Sequence, residues 1–532
     1  MPDLTTAGET TLDRRTLLRW LALGAGAAAA AGCSGGGGSR GAGPSSSSSS
    51  SSSLPPTTRA RQSLQWSQLQ SKLSGRLVLP SASSYLTDLQ LYDPRFDNTR
   101  PAAIAYCAEA SDVQRCVAFA RANDVPFTAR SGGHSYAGYS SNNGLMIDTT
   151  TINGIALTGD TAMIGAGARL IDIYSNLNGQ GVSIPGGSCP TVGIAGLALG
   201  GGVGVVGRQH GLTCDAVNSV FVVTADSRLV HANATENDDL FWACRGGGGG
   251  NFGVVTAFEF DTFPTADVAL FTLRFPWAAA ADVLPAWLAW IDGAPDPLWS
   301  NCILSTAGSG TPSISIGGIW GGPQSGVAPL ISQLVTQTGT TPTTNFLETI
   351  PLAHAMYVEA GCGQLSEAAC HLRSQNSQGQ LTRSASFAGS NYLDKAPSDA
   401  GIQAVVGGIS ARGAAGGAGA IAFDSYGGAI NRIDKAATAF VHRNSLCCAQ
   451  YSVSYNTTDS ASAIASHQAW VGQYGAALRP YVSEAAYQNY IDPTLTDSLK
   501  AYYGNNLARL ETVKKHWDPD DAFRFAQSIP LP

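Results

Sequence analysis

In Arg130-Ser-Gly-Gly-His-Ser-Tyr-Ala-Gly-Tyr139, glycines and serines surround a single histidine. The apolar run before it, residues 125–129, is short enough to be a strand, so the stretch is interpreted as a turn that follows a strand. Gly132 and Gly133 lack a Cβ, which permits positive φ and a close approach of the backbone to a ligand. Successive N–H groups in such a turn form a concave site for a phosphate or pyrophosphate, with His134 at its lip. Taken alone, the pattern is more typical of a plain glycine turn with a surface histidine.

A second glycine-rich stretch, Ile184-Pro-Gly-Gly-Ser-Cys-Pro-Thr-Val-Gly-Ile-Ala-Gly196, places Cys189 in another loop. Together the two stretches resemble the flavin-binding domain of the berberine bridge enzyme-like oxidases, within the vanillyl-alcohol oxidase superfamily. In that family the loop histidine bonds to the flavin 8α-methyl group, and the cysteine of Cys-Pro-Thr-Val bonds to flavin C6. The resemblance therefore implies an FAD that is tethered twice, through His134 and Cys189.

The resemblance continues almost without interruption over residues 91–260. Asp239-Leu-Phe-Trp-Ala-Cys-Arg245 and Asn251-Phe-Gly-Val-Val255 match family elements that complete the flavin site, partly through backbone groups. The FAD-binding residues that the resemblance implies here are His134, Cys189, Arg130, Ser131, Gly132, Gly133, Ser135, Gly138, Val192, Gly193, Gly196, Gly253, Val255 and Asn506.

Near the C-terminus, Tyr487-Gln-Asn-Tyr490 matches a family element whose last tyrosine is the usual catalytic base. A free tyrosine has a pKa of about 10, so Tyr490 needs a depressed pKa or a partner that takes its proton. Asp424 and Tyr426 are the candidate partners, since alternate residues of a strand over residues 421–429 share one face. They could equally be a strand-end cap and a buried tyrosine. His442, in a further strand expected at 439–444, is interpreted as structural.

The expected fold is α+β. Short strands (102–107, 125–129, 145–148 and 162–166) alternate with helices at 112–123, capped by Ser111, and at 169–177. The resemblance implies a PCMH-type FAD-binding domain of two subdomains and a substrate domain whose antiparallel sheet is covered by helices. The expected organisation is a signal (1–33), a Gly/Ser/Pro-rich linker (34–60), the FAD-binding domain (61–263), the substrate domain (264–484) and a berberine bridge-type segment (485–532) that packs back on the FAD domain.

The first residues predict export. Asp13-Arg-Arg-Thr-Leu-Leu-Arg19 resembles a twin-arginine motif, and the apolar run after it is too short to remain as a membrane span. Gly32-Cys33 resembles a lipoprotein cleavage site, although soluble secretion after an alanine site stays open. The expected partners are therefore the twin-arginine export machinery and a lipid anchor at Cys33, with the enzyme outside the cytoplasmic membrane.

Composition limits the other possibilities. The balance of 31 Lys and Arg against 38 Asp and Glu, with no dense basic patch, argues against nucleic acid, and the eight histidines show no metal-ligand spacing. Setting Cys33 and Cys189 aside leaves nine of the eleven cysteines. Cys362 and Cys370 are close enough in sequence to pair, Cys107 and Cys116 are a weaker candidate pair, and at least one of the adjacent Cys447 and Cys448 should be a buried thiol.

The implied activity is hydride transfer from a C–H group that bears a hydroxyl to flavin N5, followed by reoxidation by O₂ with H₂O₂ as product. In the family, valine after Cys-Pro-Thr is associated with oxidase behaviour, and Val192 stands there. A sugar lactol, a secondary alcohol and an alkaloid-like amine all fit this chemistry. A dehydrogenase with another acceptor, an oxidative cyclase, and a lipoprotein with a vestigial flavin remain open. A nicotinamide reductase is disfavoured, because the formal fingerprint Gly202–Gly207 with Asp226 lacks a good preceding strand.

Overall fold

The computed structural model describes residues 66–532. The predicted signal and Cys33 lie outside the described residues, as does the linker. Within 66–532, every helix is either too short or too polar to cross a lipid bilayer.

A four-stranded sheet carries the histidine loop. Its strands are β1 (Arg76–Val78), β2 (Ala103–Tyr106), β3 (Phe127–Arg130) and β4 (Leu145–Asp148), with helices α1 (Tyr85–Asp88) and α2 (Ala110–Ala122). The order is β1-β2-β4-β3, with β2, β4 and β3 parallel and β1 antiparallel to β2. Val113, Cys116, Val117 and Ala120 form the buried face of α2, as their spacing predicts. The helix begins two residues earlier than expected, because Glu109 rather than Ser111 takes the extended cap conformation.

A five-stranded antiparallel sheet of order β5-β6-β10-β8-β9 packs beside the first. The elements of this region are β5 (Ile155–Thr158), β6 (Thr161–Gly165), β7 (Val182–Ser183), β8 (Val217–Val223), β9 (Leu229–Asn233), β10 (Val254–Asp261), β11 (Phe263–Pro264), α3 (Leu170–Asn178), α4 (Ile194–Leu199), α5 (Gly207–His210) and α6 (Asp238–Ala243). The cysteine loop runs from β7 to α4, and strands β7 and β11 pair with each other. These two sheets match the expected pair of subdomains.

A seven-stranded antiparallel sheet of order β15-β12-β14-β13-β17-β18-β16 forms the rest of the fold. Its elements are β12 (Asp267–Phe275), β13 (Leu298–Ala307), β14 (Ser313–Trp320), β15 (Thr344–Pro351), β16 (Ala385–Leu393), β17 (Ala418–Ser425), β18 (Cys447–Tyr455), α7 (Ala280–Ile291), α8 (Gln324–Thr338), α9 (Leu352–Glu359), α10 (Asp399–Ala414), α11 (Ala429–Arg432) and α12 (Ala461–Leu478). Helices α7, α8, α10 and α12 share one apolar core with this sheet. The opposite face is left for the site, which confirms the expected architecture.

The C-terminal segment returns to the glycine loops. It contains α13 (Ser498–Tyr503) and α14 (Leu507–Trp517). Lys514 Nζ donates to Asn251 O at 3.0 Å, and Ile529 N donates to Asn251 Oδ1 at 2.9 Å. The ring of Phe523 packs edge-on against Phe127 of β3. The expected return of this segment to the FAD-binding region is therefore confirmed.

Three local expectations differ from the structure. Strand β17 ends at Ser425, one residue before Tyr426, although Tyr426 N–H still donates to Leu446 O at 2.8 Å in the register of the β17–β18 pair. Residues 439–444 form no strand. The Gly202–Gly207 fingerprint leads only into the four-residue helix α5, and Asp226 caps a turn through Thr224 and Arg228, so the elements of a dinucleotide fold are missing there.

The cysteines follow the sequence prediction closely. Cys362 and Cys370 form a disulfide. The sulfurs of Cys107 and Cys116 approach to 4.0 Å inside the core without a bond. Cys447 and Cys448 are both buried, one on each face of β18.

Candidate active site

A cavity of about 310 Å³ lies where the two glycine loops, the seven-stranded sheet and the C-terminal segment meet. Every residue predicted to bind FAD lines this cavity except two, Gly138 and Asn506. Gly138 packs against the ring of Phe96, and Asn506 Nδ2 donates to the carbonyls of Lys435, Thr438 and Ala439. Both residues therefore hold neighbouring segments in place rather than forming the wall.

The two glycine loops contact each other through bare backbone. A Cβ on Gly132 would collide with the backbone N of Gly193, and a Cβ on Gly193 would collide with Gly132 N and Ser131 Oγ. The Ser131 hydroxyl fastens the first loop by donating to Ala166 O at 2.7 Å. Gly133 adopts φ +71°, a conformation that favours glycine. This contact places the histidine loop directly against the cysteine loop.

His134 is held on two sides. Its ring stacks on Tyr92 at a centroid distance of 4.1 Å, and Nε2 lies 2.9 Å from Thr191 Oγ1. Burial, together with the positive charge of Arg169, lowers the pKa of His134 to about 3. The imidazole is therefore neutral at physiological pH and keeps one nitrogen lone pair for bonding.

Cys189 lies in the adjoining loop, with its sulfur 3.9 Å from the same Thr191 hydroxyl. His134 and Cys189 both line the cavity. One buried threonine therefore stands between the two residues that the sequence singles out for covalent attachment.

Arg130 lines the cavity with its backbone while its guanidinium points into the protein. The side chain pairs with Asp148 and donates to Asp88 O at 2.7 Å and to Tyr106 Oη at 3.2 Å. This network fixes the end of β3, where the histidine loop starts.

The wall has the features that FAD requires. A Cβ on Gly196 would meet no atom within 4 Å, so the backbone there is open to a flat ring or a pyrophosphate. The buried Oε1 atoms of Gln488 and Gln527 have no hydrogen-bond partner among the described residues, and both side chains line the cavity. These acceptors suit the N–H and hydroxyl groups of a flavin nucleotide, so the residues present fit the cofactor.

The opposite wall is polar and aromatic. Ser386 and Ala388 of β16 and Gln450 and Ser452 of β18 reach the cavity as alternate residues of neighbouring strands. Tyr490 lines it from the C-terminal segment, and its ring stacks against Tyr136 at 5.7 Å and an interplanar angle of 12°. Gln450 Nε2 donates to Tyr136 Oη at 2.9 Å, which links the sheet to the aromatic pair.

Two ionisable groups in this region, Tyr490 and Asp424, have raised pKa values. Burial, with a contribution from the charge of Asp424, raises the pKa of Tyr490 well above its ordinary value. Burial raises the pKa of Asp424 to about 7. Tyr490 therefore keeps its proton at neutral pH. Asp424, at the end of β17 and outside the set of residues that line the cavity, is the group that gains and loses a proton near neutral pH. Because the pKa of Tyr490 is raised rather than depressed, we retain the alternative of a proton-taking partner, and that role of Asp424 stays a prediction.

Tyr426 lies away from this wall. It is completely buried, and its hydroxyl lies 3.1 Å from Tyr392 Oη within an apolar cluster. His442 is also buried, stacked on Tyr392 with Nε2 3.0 Å from Tyr502 O, as expected of a structural histidine.

Sequence reasoning missed three residues of the site: Thr191, Tyr136 and Gln450. Thr191 and Tyr136 lie inside the two quoted stretches, so their position was a signal that could have identified them. Gln450 carries no such signal, because only the pairing of β16 with β18 brings it to the cavity.

Two family models match the sequence. The one described as FAD binding domain matches residues 101–233, and the one described as berberine and berberine like matches residues 486–530.

Individual proteins match over most of the chain. An uncharacterized FAD-linked oxidoreductase from Bacillus subtilis is 30% identical, with 87% of this chain and 98% of the relative covered. A carbohydrate oxidase from Microdochium nivale is 31% identical, with 85% and 92% covered. The solved structure of a berberine bridge enzyme-like protein from Physcomitrella patens superimposes with a TM-score of 0.79 at 31% identity, covering 88% of this chain and 99% of that one.

Proposed function

The chain belongs to the berberine bridge enzyme-like FAD-linked oxidoreductases, and from that premise we propose that it is a carbohydrate oxidase with FAD bonded to both His134 and Cys189. The observation that carries this proposal is the meeting of both side chains at one wall of the cavity, with Tyr490 on the other. A neutral imidazole and a thiol in one rigid loop contact are the nucleophiles that two covalent bonds require.

The cofactor and the protein side chains have separate roles at the reacting carbon. When bound, the isoalloxazine ring supplies the acceptor for two electrons from the donor C–H bond. The neutral Tyr490 hydroxyl contacts the hydroxyl of the substrate. The proton that the substrate loses is passed through Tyr490 toward Asp424. A carboxyl group with a pKa of about 7 is well matched to a general base at neutral pH. Tyr136, held by Gln450, keeps the Tyr490 ring in place by stacking.

A carbohydrate substrate agrees with the composition of the sheet wall. Ser386, Ser452 and Gln450 offer hydroxyl and amide groups to a ligand rich in hydroxyls, while the ring of Tyr490 offers an apolar surface. The relative from Microdochium nivale is named a carbohydrate oxidase. Among the donors that fit flavin chemistry, a sugar lactol is therefore the preferred one.

Dioxygen is the proposed final acceptor, with H₂O₂ as product. Val192, the residue that the family resemblance connects with oxidase behaviour, lines the cavity beside Cys189.

The test uses purified holoenzyme with mono- and oligosaccharides that have a free reducing end, and with the corresponding alditols as controls. We expect one O₂ consumed and one H₂O₂ formed per sugar oxidised, and no turnover of the alditols, which have no lactol carbon. Turnover that requires an artificial acceptor and leaves O₂ untouched would contradict the oxidase assignment. Equal turnover of aldose and alditol would contradict the lactol.

We also propose that the protein is exported and lipid-anchored through Cys33. The disulfide Cys362–Cys370 supports an oxidising location, since such bonds are rare in the cytosol. Labelled fatty acid should enter the wild-type protein and not a Cys33→Ala variant; equal labelling of both would refute the anchor.

A further inference from the structure

We propose that Thr191 is the positioning residue for covalent attachment, and that its single hydroxyl serves His134 and Cys189 at once. The inference rests on the double tether proposed above. It concerns which ring nitrogen of His134 forms the bond and how the two nucleophiles are prepared.

The geometry selects the ring nitrogen. Thr191 is fully buried, and its Oγ1 lies 2.9 Å from His134 Nε2. Stacking on Tyr92 prevents the ring from rotating freely to exchange the two nitrogens. Nδ1 is consequently the nitrogen that is available to the cofactor.

The direction of the hydrogen bonds follows from the second neighbour. A hydroxyl has one proton to donate and lone pairs with which to accept. If Thr191 donates toward Cys189 Sγ, 3.9 Å away, it accepts the proton of His134 Nε2–H. In that arrangement Nδ1 carries the lone pair, and the sulfur receives a proton donor that favours its thiolate form.

Protons and electrons are conserved in the covalent step as follows. The Nδ1 lone pair forms the C–N bond to the 8α-methyl carbon, which loses one proton, while Nε2 loses the other through Thr191 Oγ1. Two electrons are released, and dioxygen takes them with the two protons to give one H₂O₂ per bond. A bond from Cys189 consumes the same quantities, with the thiol proton in place of the imidazole proton.

The close contact of the loops explains why threonine can fill this role. The Thr191 carbonyl would lie 3.0 Å from a Cβ on Gly132, so the backbone that carries the hydroxyl is fixed against the histidine loop. A side chain anchored in this way keeps its hydroxyl between the two nucleophiles without a further partner.

The experiment compares Thr191→Val, which keeps the shape and removes the hydroxyl, with Thr191→Ser, which restores it. Apoprotein prepared under riboflavin limitation is incubated with FAD and O₂, and the flavin on peptides 131–169 and 170–208 is followed by mass spectrometry. We expect Thr191→Val to slow bond formation at His134 about tenfold while FAD still binds, and Thr191→Ser to recover most of the rate.

Thr213→Val is the matched control, because Thr213 is also fully buried and bonds only to Gly202 O in the neighbouring loop. Its rate of attachment should equal that of the wild type. Thr191→Val attaching flavin at the wild-type rate would overturn the role of Thr191 and leave the proposed function intact. Wild-type protein without flavin on either peptide would overturn both.

A second measurement needs no variant. The histidyl-flavin released from wild-type protein should be substituted at Nδ1, as determined by NMR spectroscopy. Substitution at Nε2 would overturn the proposal, because that atom is the one bonded to Thr191.

Discussion

Across the cavity, the glycine loops that carry His134 and Cys189 face strands β16 and β18, and these two walls are held in different ways. In the loop wall, the backbone of the histidine loop contacts the backbone of the cysteine loop, and the contact between Gly132 and Gly193 leaves no space for a Cβ. In the sheet wall, the backbone ladder is regular, and the cavity is shaped by the side chains that alternate strand residues present.

The difference separates two tasks. Under the proposed function, the loop wall holds the cofactor, and its glycines cannot change without moving the backbone. Under the same proposal, the sheet wall contacts the substrate, and its side chains can be exchanged while the ladder remains intact. One fold can thereby keep one flavin chemistry and vary the donor.

The largest effect is expected from Gly132→Ala. The new Cβ collides with Gly193 backbone that has no freedom to move, so we expect unfolding to become easier by about 3 kcal/mol, with loss of covalent flavin. Thermal unfolding and flavin content are the measurements.

Gly196→Ala is the comparison for that change within the same wall, since its Cβ meets no protein atom within 4 Å. It should leave the unfolding free energy within about 0.5 kcal/mol of the wild type and lower only FAD binding. Equal destabilisation by both variants would show that the loop contact is not the constraint.

Asp424→Asn should cut kcat/KM about 100-fold, with fold and flavin retained. A base accepts a proton only when ionised, so wild-type kcat/KM should rise with pH through about 7. The variant should lose that limb of the profile. A pH profile unchanged by the substitution would remove Asp424 from the proton path.

Tyr490→Phe and Tyr426→Phe compare a tyrosine that lines the cavity with one in the buried apolar cluster behind it. Loss of the Tyr490 hydroxyl should lower kcat about tenfold at unchanged stability. Tyr426→Phe removes only its contact with Tyr392, so it should cost about 1 kcal/mol of stability and little activity. The reverse pattern would place Tyr426 in the chemistry.

The last comparison concerns the clamp between His371 and Asp172, which ties the segment before β16 to helix α3 beside the loop wall. Burial opposes protonation of His371, but the hydrogen bond and charge of Asp172 prevail and raise its pKa. A raised folded-state pKa stabilises the protein below the unfolded value of about 6.5, and the gain disappears as pH rises through the folded value.

His371→Gln should therefore lower the unfolding free energy by about 1 kcal/mol at pH 5.5 and by less at pH 9, as measured by denaturant titration. A loss that is independent of pH would show that packing, and not the ion pair, holds the clamp.

The loop wall could be predicted from the sequence because its constraints act within contiguous stretches. Gly132, Gly133 and Gly193 mark backbone that must come close to something, and His134 and Cys189 stand among them. The strand that carries Asp424 was predicted too, but its end was not. The predicted strand ran to residue 429, whereas β17 ends at Ser425, just before Gly427 and Gly428 with their positive φ angles.

The sheet wall could not be predicted in the same way. Gln450 reaches the cavity because β18 pairs with β16, whose residues lie about sixty positions earlier in the chain. Local periodicity carries no record of such a pairing. The bond from Gln450 to Tyr136 also joins residues 314 positions apart, so neither partner indicates the other.

The most direct test of the account is the mass of the flavin-carrying peptide after tryptic digestion of the purified holoenzyme. Trypsin separates His134, in peptide 131–169, from Cys189, in peptide 170–208, by cleavage after Arg169. With the double tether in place, we expect one species with the summed mass of both peptides and one flavin. Flavin released free of peptide, or carried by one peptide alone, would contradict the double tether.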